Sequence, residues 1–389
     1  VPDVTPHADI TASDLHGRSY LLRFLYGPAG RTLTVPVVCL LWAGVQLGFF
    51  VALAAWEKAL TPDQVPGGTS LVEDTTALGW YALLPGCFLL LHYSRVPLRG
   101  FLNRLPDLLE PTAPPGAHAE LLAVARGAFS REQLTRPRLV FTAIGLALFA
   151  YNAVTNFFPD TFYHRSPKWD SVRFPVSYAA ARLWVLFVWG YAVPVWATEV
   201  WAQLSALVRI TRTMSGRGWL RIAPYAADGF GGLARLKSAS AWVSSLVLVA
   251  GLFFLAPMLR LVIWHRPLHL GNYVGLGLYA LCAAASAVGP VYLLHRALAR
   301  KKVQMLGLLA VAFDRINGRA APLVERGGVA ELADAELGRA LDTADRLRAQ
   351  WASLPVWPLG VGFFLKALAT VAPPLVAFLW QQYAARLVP

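Results

Sequence analysis

The sequence predicts an all-helical, polytopic transmembrane bundle of about seven spans, with a cytoplasmic antiparallel helical hairpin between spans six and seven. Seven long apolar runs are the first observation behind this: 33–56, 78–93, 139–158, 177–201, 241–264, 271–295 and 357–383. About 20 apolar residues match a hydrocarbon core roughly 30 Å thick, and in lipid a backbone must satisfy its own hydrogen bonds, so each run is read as a helix. Composition is the second: 56% of the residues are hydrophobic and 15% are charged, outside the range of soluble domains of this length. Charge placement is the third. With the N-terminus in the cytoplasm, 26 of the 35 Lys and Arg residues fall inside and six outside, while Arg182, Arg260 and Lys366 fall within spans. This asymmetry orients the chain. It also accounts for the net charge of +13 by topology, with no nucleic acid as partner.

Residues 1–32 read as a cytoplasmic interfacial arm, in which Ser13-Asp14 caps a helix carrying Leu15, Leu21, Leu22, Phe24 and Leu25 beside Arg18 and Arg23. Residues 33–295 make a transmembrane domain of six spans. Its first outer loop, 57–76, is acidic through Glu57, Asp63, Glu73 and Asp74, and Pro85-Gly86 is expected to interrupt span two. The cytoplasmic stretch 94–138 sets a Pro-rich turn, Pro111 to Pro115, between two short amphipathic segments.

Residues 296–356 are the largest soluble piece. In their second half Ala330, Ala333, Leu337, Ala340, Ala344, Leu347, Trp351 and Leu354 form a heptad seam, and Val303, Leu306, Ala310, Phe313 and Ile316 form the complementary stripe. Pro322 and Gly327-Gly328 supply the turn. No breaker stands at 298–302, so span six is expected to continue into this piece as one helix. Residues 357–389 complete the chain as span seven and an external C-terminus.

Cys39, Cys87 and Cys282 each sit in a different apolar run as small fillers, with no disulfide framework or metal knuckle. No secretory signal is expected, because the first run begins after 32 residues and is too long for a cleavable segment. Arg outnumbers Lys 29 to 6, which suggests a GC-rich genome and hence the bacterial inner membrane.

Lys366 is the sharpest single residue. Nine residues past Trp357, it lies roughly 13 Å into the membrane, where an ammonium needs a partner or water. An intramembrane charge points first to function, with Glu199 on span four as candidate counter-ion; the bland alternative is a later start to span seven. Pro373-Pro374 removes two backbone donors and kinks or breaks that span, either as a plain bend or beside an ion path. Pro194, Pro257 and Gly289-Pro290 read as structural bends of the same kind. Span six is rich in small residues, with Gly271 to Gly275, Ala280 to Ala284 and Ala283 to Ala287 as small-xxx-small pairs. Gly275, Ala283 and Ala287 would line a pore or admit a closely packed neighbour.

The cytoplasmic loop around Asp228, Gly229, Gly231 and Gly232 precedes the helix that becomes span five. Arg217, Arg221, Arg235 and Lys237 surround it with positive charge, so its backbone N–H groups could meet an anion or lipid headgroup. An aspartate followed by glycines also serves simply as a turn and cap. Asp228, Gly231, Gly232 and Leu233, the rich span of Arg182, Trp184, Trp189, Trp196 and Trp201, and the Trp357-Pro358 opening of the last span together carry a resemblance. The chain resembles a broad group of uncharacterised bacterial polytopic membrane proteins with an Asp-x-x-Gly-Gly-Leu cytoplasmic loop, over about half its length. The resemblance implies shared architecture and no activity. In those relatives His-Pro tends to precede the aspartate; here Ala226-Ala227 stands there, which gives a histidine-based metal role no support.

His164, His265 and His269 are expected on the outer side near Asp160 and Asp170, but Pro267 breaks the spacing a shared metal would need, and no metal site is assigned. His92 and His295 sit at inner span ends. No nucleophile elbow, zinc helix or paired-histidine haem ladder is present, so neither an enzyme nor a cofactor is expected. The function expected is a homo-oligomeric ion channel or pore gated through the cytoplasmic hairpin. The alternatives are a membrane-anchored signalling or scaffold protein acting through residues 296–356, and a secondary transporter, against which the missing internal repeat counts. The partners expected are the lipid bilayer, further copies of the chain, and a cytoplasmic protein or small-molecule regulator.

Overall fold

The computed structural model describes residues 19–26, 34–157, 168–224, 226, 228, 231–247, 270–325 and 335–355. Among the described residues the chain is helical, with no strand. The helices are α1 (Tyr20–Tyr26), α2 (Val35–Trp56), α3 (Thr75–Leu102), α4 (Ala117–Ala128), α5 (Arg131–Phe157), α6 (Pro175–Phe187), α7 (Val193–Gly216), α8 (234–247), α9 (Leu270–Glu325) and α10 (Ala335–Ser353). Three segments are long and apolar enough to cross a membrane: Val35–Trp56, Ala77–Leu102 and the continuous Pro175–Gly216. The run 139–158 is helical to Phe157 within α5, and 271–295 lies in α9. Of the run 241–264 only 241–247 is described, and 357–383 lies outside the described residues.

Prolines set the main departures from the expected pattern. The interruption expected at Pro85-Gly86 does not occur, since α3 passes both Pro85 and Pro97 unbroken and ends at Leu102, nine residues beyond the apolar run. Each proline removes one helical donor, which leaves the Tyr81 and Tyr93 carbonyls without their partner four residues on, a local loss that a long packed helix tolerates. Tyr26 Oη donates to the Phe88 carbonyl (2.7 Å) and Trp196 Nε1 to that of Cys87 (3.2 Å). In the 42-residue segment Pro175–Gly216, a π turn at Val188–Ala192 joins α6 to α7 directly before Pro194. There the Val193 N–H reaches the Val188 carbonyl five residues back, so the ring of Pro194 is accommodated by widening the helix rather than by breaking it.

α7 is the hub. It packs on α3, α4, α5 and α9, burying Val195, Ala202, Ala206, Leu207, Ile210 and Met214, a stripe at helical spacing. α5 crosses the π turn at Gly145, where a Cβ would lie 1.8 Å from the Trp189 carbonyl oxygen, so only glycine admits this crossing. α8 buries Leu236, Ala239, Val243 and Leu246 in the same core, and Ser244 Oγ donates to the Ser286 carbonyl of α9 (3.0 Å). α9 runs unbroken through 298–302, as the lack of a breaker there predicts. Its second half packs against α10: Lys302 Nζ donates to the Ala352 (2.6 Å) and Leu354 (3.0 Å) carbonyls, and the Arg348 guanidinium lies 5.9 Å from the Phe313 ring centroid.

A second, smaller core gathers at the Trp56 end of α2. Phe50, Tyr81 and Trp169 meet there, with Phe50 stacked on Tyr81 at 4.7 Å. Glu57 accepts from the Val176 and Ser177 N–H groups (2.9 and 2.7 Å), capping the first turn of α6. Slight burial alone would raise the Glu57 carboxyl, but these bonds hold it below its ordinary value. Asp74 caps α3 through the Ala77 N–H (3.2 Å). It also takes Lys168 Nζ at 2.9 Å and Trp169 Nε1 at 3.1 Å, so the acidic loop and the stretch before α6 are tied together by one buried carboxylate.

Candidate functional site

Apolar helices bring together one group of buried polar side chains, between α1, α3 and α7. Ser94 and Arg95 follow the apolar part of α3, and Glu199 and Gln203 are four apart on one face of α7. Arg95 Nη2 lies 3.2 Å from Glu199 Oε2, with the two side chains 4% and 0% exposed. The Ser94 hydroxyl sits between the Leu91 carbonyl (2.8 Å) and Gln203 Oε1 (3.0 Å). Arg95 Nε and Nη1, His92 Nδ1 and Gln203 Nε2 are buried without a hydrogen bond.

α1 closes this centre from the side. Leu22 and Leu25 are buried, the Leu21 N–H donates to Tyr191 Oη (3.2 Å), and the Tyr26 ring stacks on His92 at 5.3 Å with the Arg95 guanidinium 4.7 Å from its centroid. Burial pushes the Tyr26 hydroxyl well above its usual value although Arg95 pulls it down, so it remains a neutral donor to Phe88. Chemically the arrangement is a neutralised charge pair roofed by an aromatic ring. It has no nucleophile–base geometry, and no group of three metal-ligating side chains occurs among the described residues.

The structure places the sequence-expected residues separately. Glu199 lies at the buried centre and pairs with Arg95; its proposed partner Lys366, together with Pro373 and Pro374, lies outside the described residues. Gly275, Ala283 and Ala287 lie on α9. In the loop before α8, Asp228 accepts from the Gly232 (3.0 Å) and Ala234 (2.9 Å) N–H groups, so its own carboxylate occupies the position an anion would take. Gly231, at φ +70°, turns the chain so that its carbonyl accepts from Ala223, and Gly232 has φ +89°. The Arg221 N–H bonds the Leu108 carbonyl (2.8 Å) and Arg235 faces Asp107 at 3.5 Å. Gly229 and the outer histidines His164, His265 and His269 lie outside the described residues.

Sequence reasoning missed Arg95, counting it among the loop charges, and gave no role to Tyr26, Gln203 or Gln46. The spacing of Glu199 and Gln203 on an apolar helix was the one available signal.

The second candidate surface is on α9. Lys302, Leu309, Phe313 and Ile316 mark the side of α9 that meets α10. On the opposite side Val303, Gly307 and Val311 fall in line at a spacing of four, with Leu308 beside them. Val303, Leu308 and Val311 are 72%, 58% and 50% exposed, and nothing lies within 4 Å of where a Gly307 Cβ would be. Comparison with protein-family models, with curated proteins and with solved structures finds no match.

Proposed function

We propose that this chain is a seven-span protein of the bacterial inner membrane that acts by protein contact, as a membrane-anchored signalling or scaffold protein working through a cytoplasmic hairpin of α9 and α10. The observation that carries the reading is the exposed line of Val303, Gly307 and Val311 on the side of α9 away from α10. A soluble helix face of this kind is costly in water, and its glycine lets a second helix come close. The three membrane-length segments support the reading, and the apolar runs in α5 and α9 and at 241–264 and 357–383 bring the count of expected crossings to seven. The excess of Lys and Arg on one side supports a cytoplasmic position for α10 and the second half of α9.

The test is site-specific photo-crosslinking from position 308 in intact membranes, with Val303→Glu or Val311→Glu introduced into the same chain. A defined adduct that both charged variants abolish supports the reading. A chain that runs only as an uncrosslinked monomer, with unaltered behaviour in both variants, removes it.

A gated, homo-oligomeric pore is the second reading, favoured by the 56-residue length of α9, which joins its membrane part to its soluble part as one rod of about 84 Å. In that reading Lys366, Glu199, Gly275, Ala283, Ala287, Pro373 and Pro374 belong to the path or gate. Ion flux from liposomes, wild type against Lys366→Ala, decides it: equal flux in both takes Lys366 out of the mechanism, and no flux under any condition discards a constitutive pore.

A further inference from the structure

Between α2 and α6 lies an open groove of about 470 Å³ on the apolar surface of two membrane-length segments. Trp42, Phe49, Phe50, Trp184 and Phe187 wall it, and Gln46 is its one amide side chain. Gln46 is the twelfth of the 22 residues of α2, which puts it near the middle of the hydrocarbon layer. It is 8% exposed, and neither its amide nitrogen nor its amide oxygen has a hydrogen-bond partner. Trp184 Nε1, on the facing wall, is also buried and without a partner. Two donors and an acceptor left unsatisfied in one apolar place are costly, and acyl chains at this depth offer nothing to meet them.

We propose that this groove binds a lipid-soluble molecule with a flat ring bearing carbonyl or hydroxyl groups on an apolar tail, the quinone class. Aromatic walls suit a planar ring. Once the covered Gln46 and Trp184 side chains turn towards the groove, a ring carbonyl accepts from Gln46 Nε2 or Trp184 Nε1, and the hydroxyl of the reduced form donates to Gln46 Oε1. Rotation of the Gln46 side chain brings the amide to the ligand, while the tail leaves by the open side into the bilayer. The floor is preorganised: Phe50 stacks on Tyr81 (4.7 Å) and stands edge-on to Trp169 (5.8 Å) and Trp184 (6.2 Å).

A second copy of the chain is the competing occupant, and the geometry argues against it here. The residues of α2 that admit a close helix, Gly44 and Gly48, have open space around them but stand two positions from Gln46, about 200° around the helix. The groove side carries bulky rings instead. The proposal needs α2 and α6 to lie in the membrane and is independent of any contact made by α9.

The experiment uses the full chain in nanodiscs and a labelled benzoquinone with a decyl tail, with partition into empty nanodiscs subtracted. One saturable site per chain is expected, weakened by about tenfold in Gln46→Leu through the lost hydrogen bonds and abolished in Leu183→Trp, which fills the groove. Gln46→Leu removes a buried unsatisfied amide and so keeps the fold, and decylbenzene, which lacks the carbonyls, is expected to bind both chains alike. Uptake that never exceeds partition overturns the proposal. Binding lost in Leu183→Trp but unchanged in Gln46→Leu overturns the carbonyl recognition. A Phe49→Cys disulfide between chains that excess quinone does not suppress assigns the groove to a second copy and overturns it as well.

Discussion

Arg95 on α3 and Glu199 on α7, 104 residues apart in the chain, meet at 3.2 Å in a site from which both side chains are almost wholly excluded from solvent. Removing both charges from water is expensive, and their attraction repays that cost only while both are present. Arg95→Met and Glu199→Leu are each expected to destabilise the chain by about 3–5 kcal/mol, because each takes away the opposite charge that its buried partner faces at 3.2 Å. The double variant is expected to recover most of that loss. Thermal unfolding in nanodiscs gives the three values, and additive single-variant losses would show that the pair is not coupled.

At the other end of α3 the Asp74 carboxylate gives the chain a pH dependence. Burial alone would raise it, but Lys168 at 2.9 Å, with Trp169 and the Ala77 N–H, holds it well below the ordinary carboxylate range. A carboxyl whose folded-state value is depressed contributes stability at neutral pH, and loses it as the pH falls through the ordinary range towards the lowered value. The melting temperature is therefore expected to drop below about pH 5, and part of that slope to vanish in Asp74→Asn. At pH 7 the variant is expected to cost about 1.5–3 kcal/mol, the usual worth of hydrogen bonds to a charged group. A pH profile identical to wild type would show that Asp74 is not the group responsible.

The crossing of α5 over the π turn allows no side chain at position 145. A Cβ there meets the Trp189 carbonyl oxygen at 1.8 Å and its carbon at 2.9 Å, both backbone atoms that yield only if a helix moves. Gly145→Ala is expected to destabilise by about 1–3 kcal/mol despite the better helix propensity of alanine. Gly48→Ala, with nothing within 4 Å, is the control and is expected to be stabilising by up to about 1 kcal/mol. Equal melting temperatures for the two variants would mean that α5 packs elsewhere.

Helix and membrane class were legible because apolar length is a strong, local signal, and the Val35–Trp56 segment matches its run almost residue for residue. Proline was harder to read. Pro85 looks like an interruption when only its missing donor is counted, whereas α3 passes it unbroken while packed on α2 and on the sequence-distant α7. Arg95 was tallied with the loop charges for the same reason, since nothing in a single sequence says that Glu199 faces it. Gln46 is a single polar residue in an apolar run, and only burial reveals that neither of its amide atoms is satisfied. The cap at Asp228 was legible, because the residues that would cradle an anion are also those that let a carboxylate cap its own helix.

The exposed line on α9 leads to the last prediction, which separates contact from folding. Val303, Gly307 and Val311 lie on the side of α9 away from Lys302, Leu309 and Phe313, so a charge placed among them does not disturb the packing on α10. Val303→Glu and Val311→Glu are expected to leave the unfolding free energy of the isolated chain within about 0.5 kcal/mol of wild type. They are expected to abolish whatever complex the wild-type chain forms in membranes, since a carboxylate buried in an apolar contact is strongly disfavoured. Gly307→Leu adds a second arm: if helices approach closely along this line, a bulky side chain blocks the approach with no charge involved. Complexes that survive all three substitutions would show that α9 presents this face to no partner, and the exposed valines would then need another explanation.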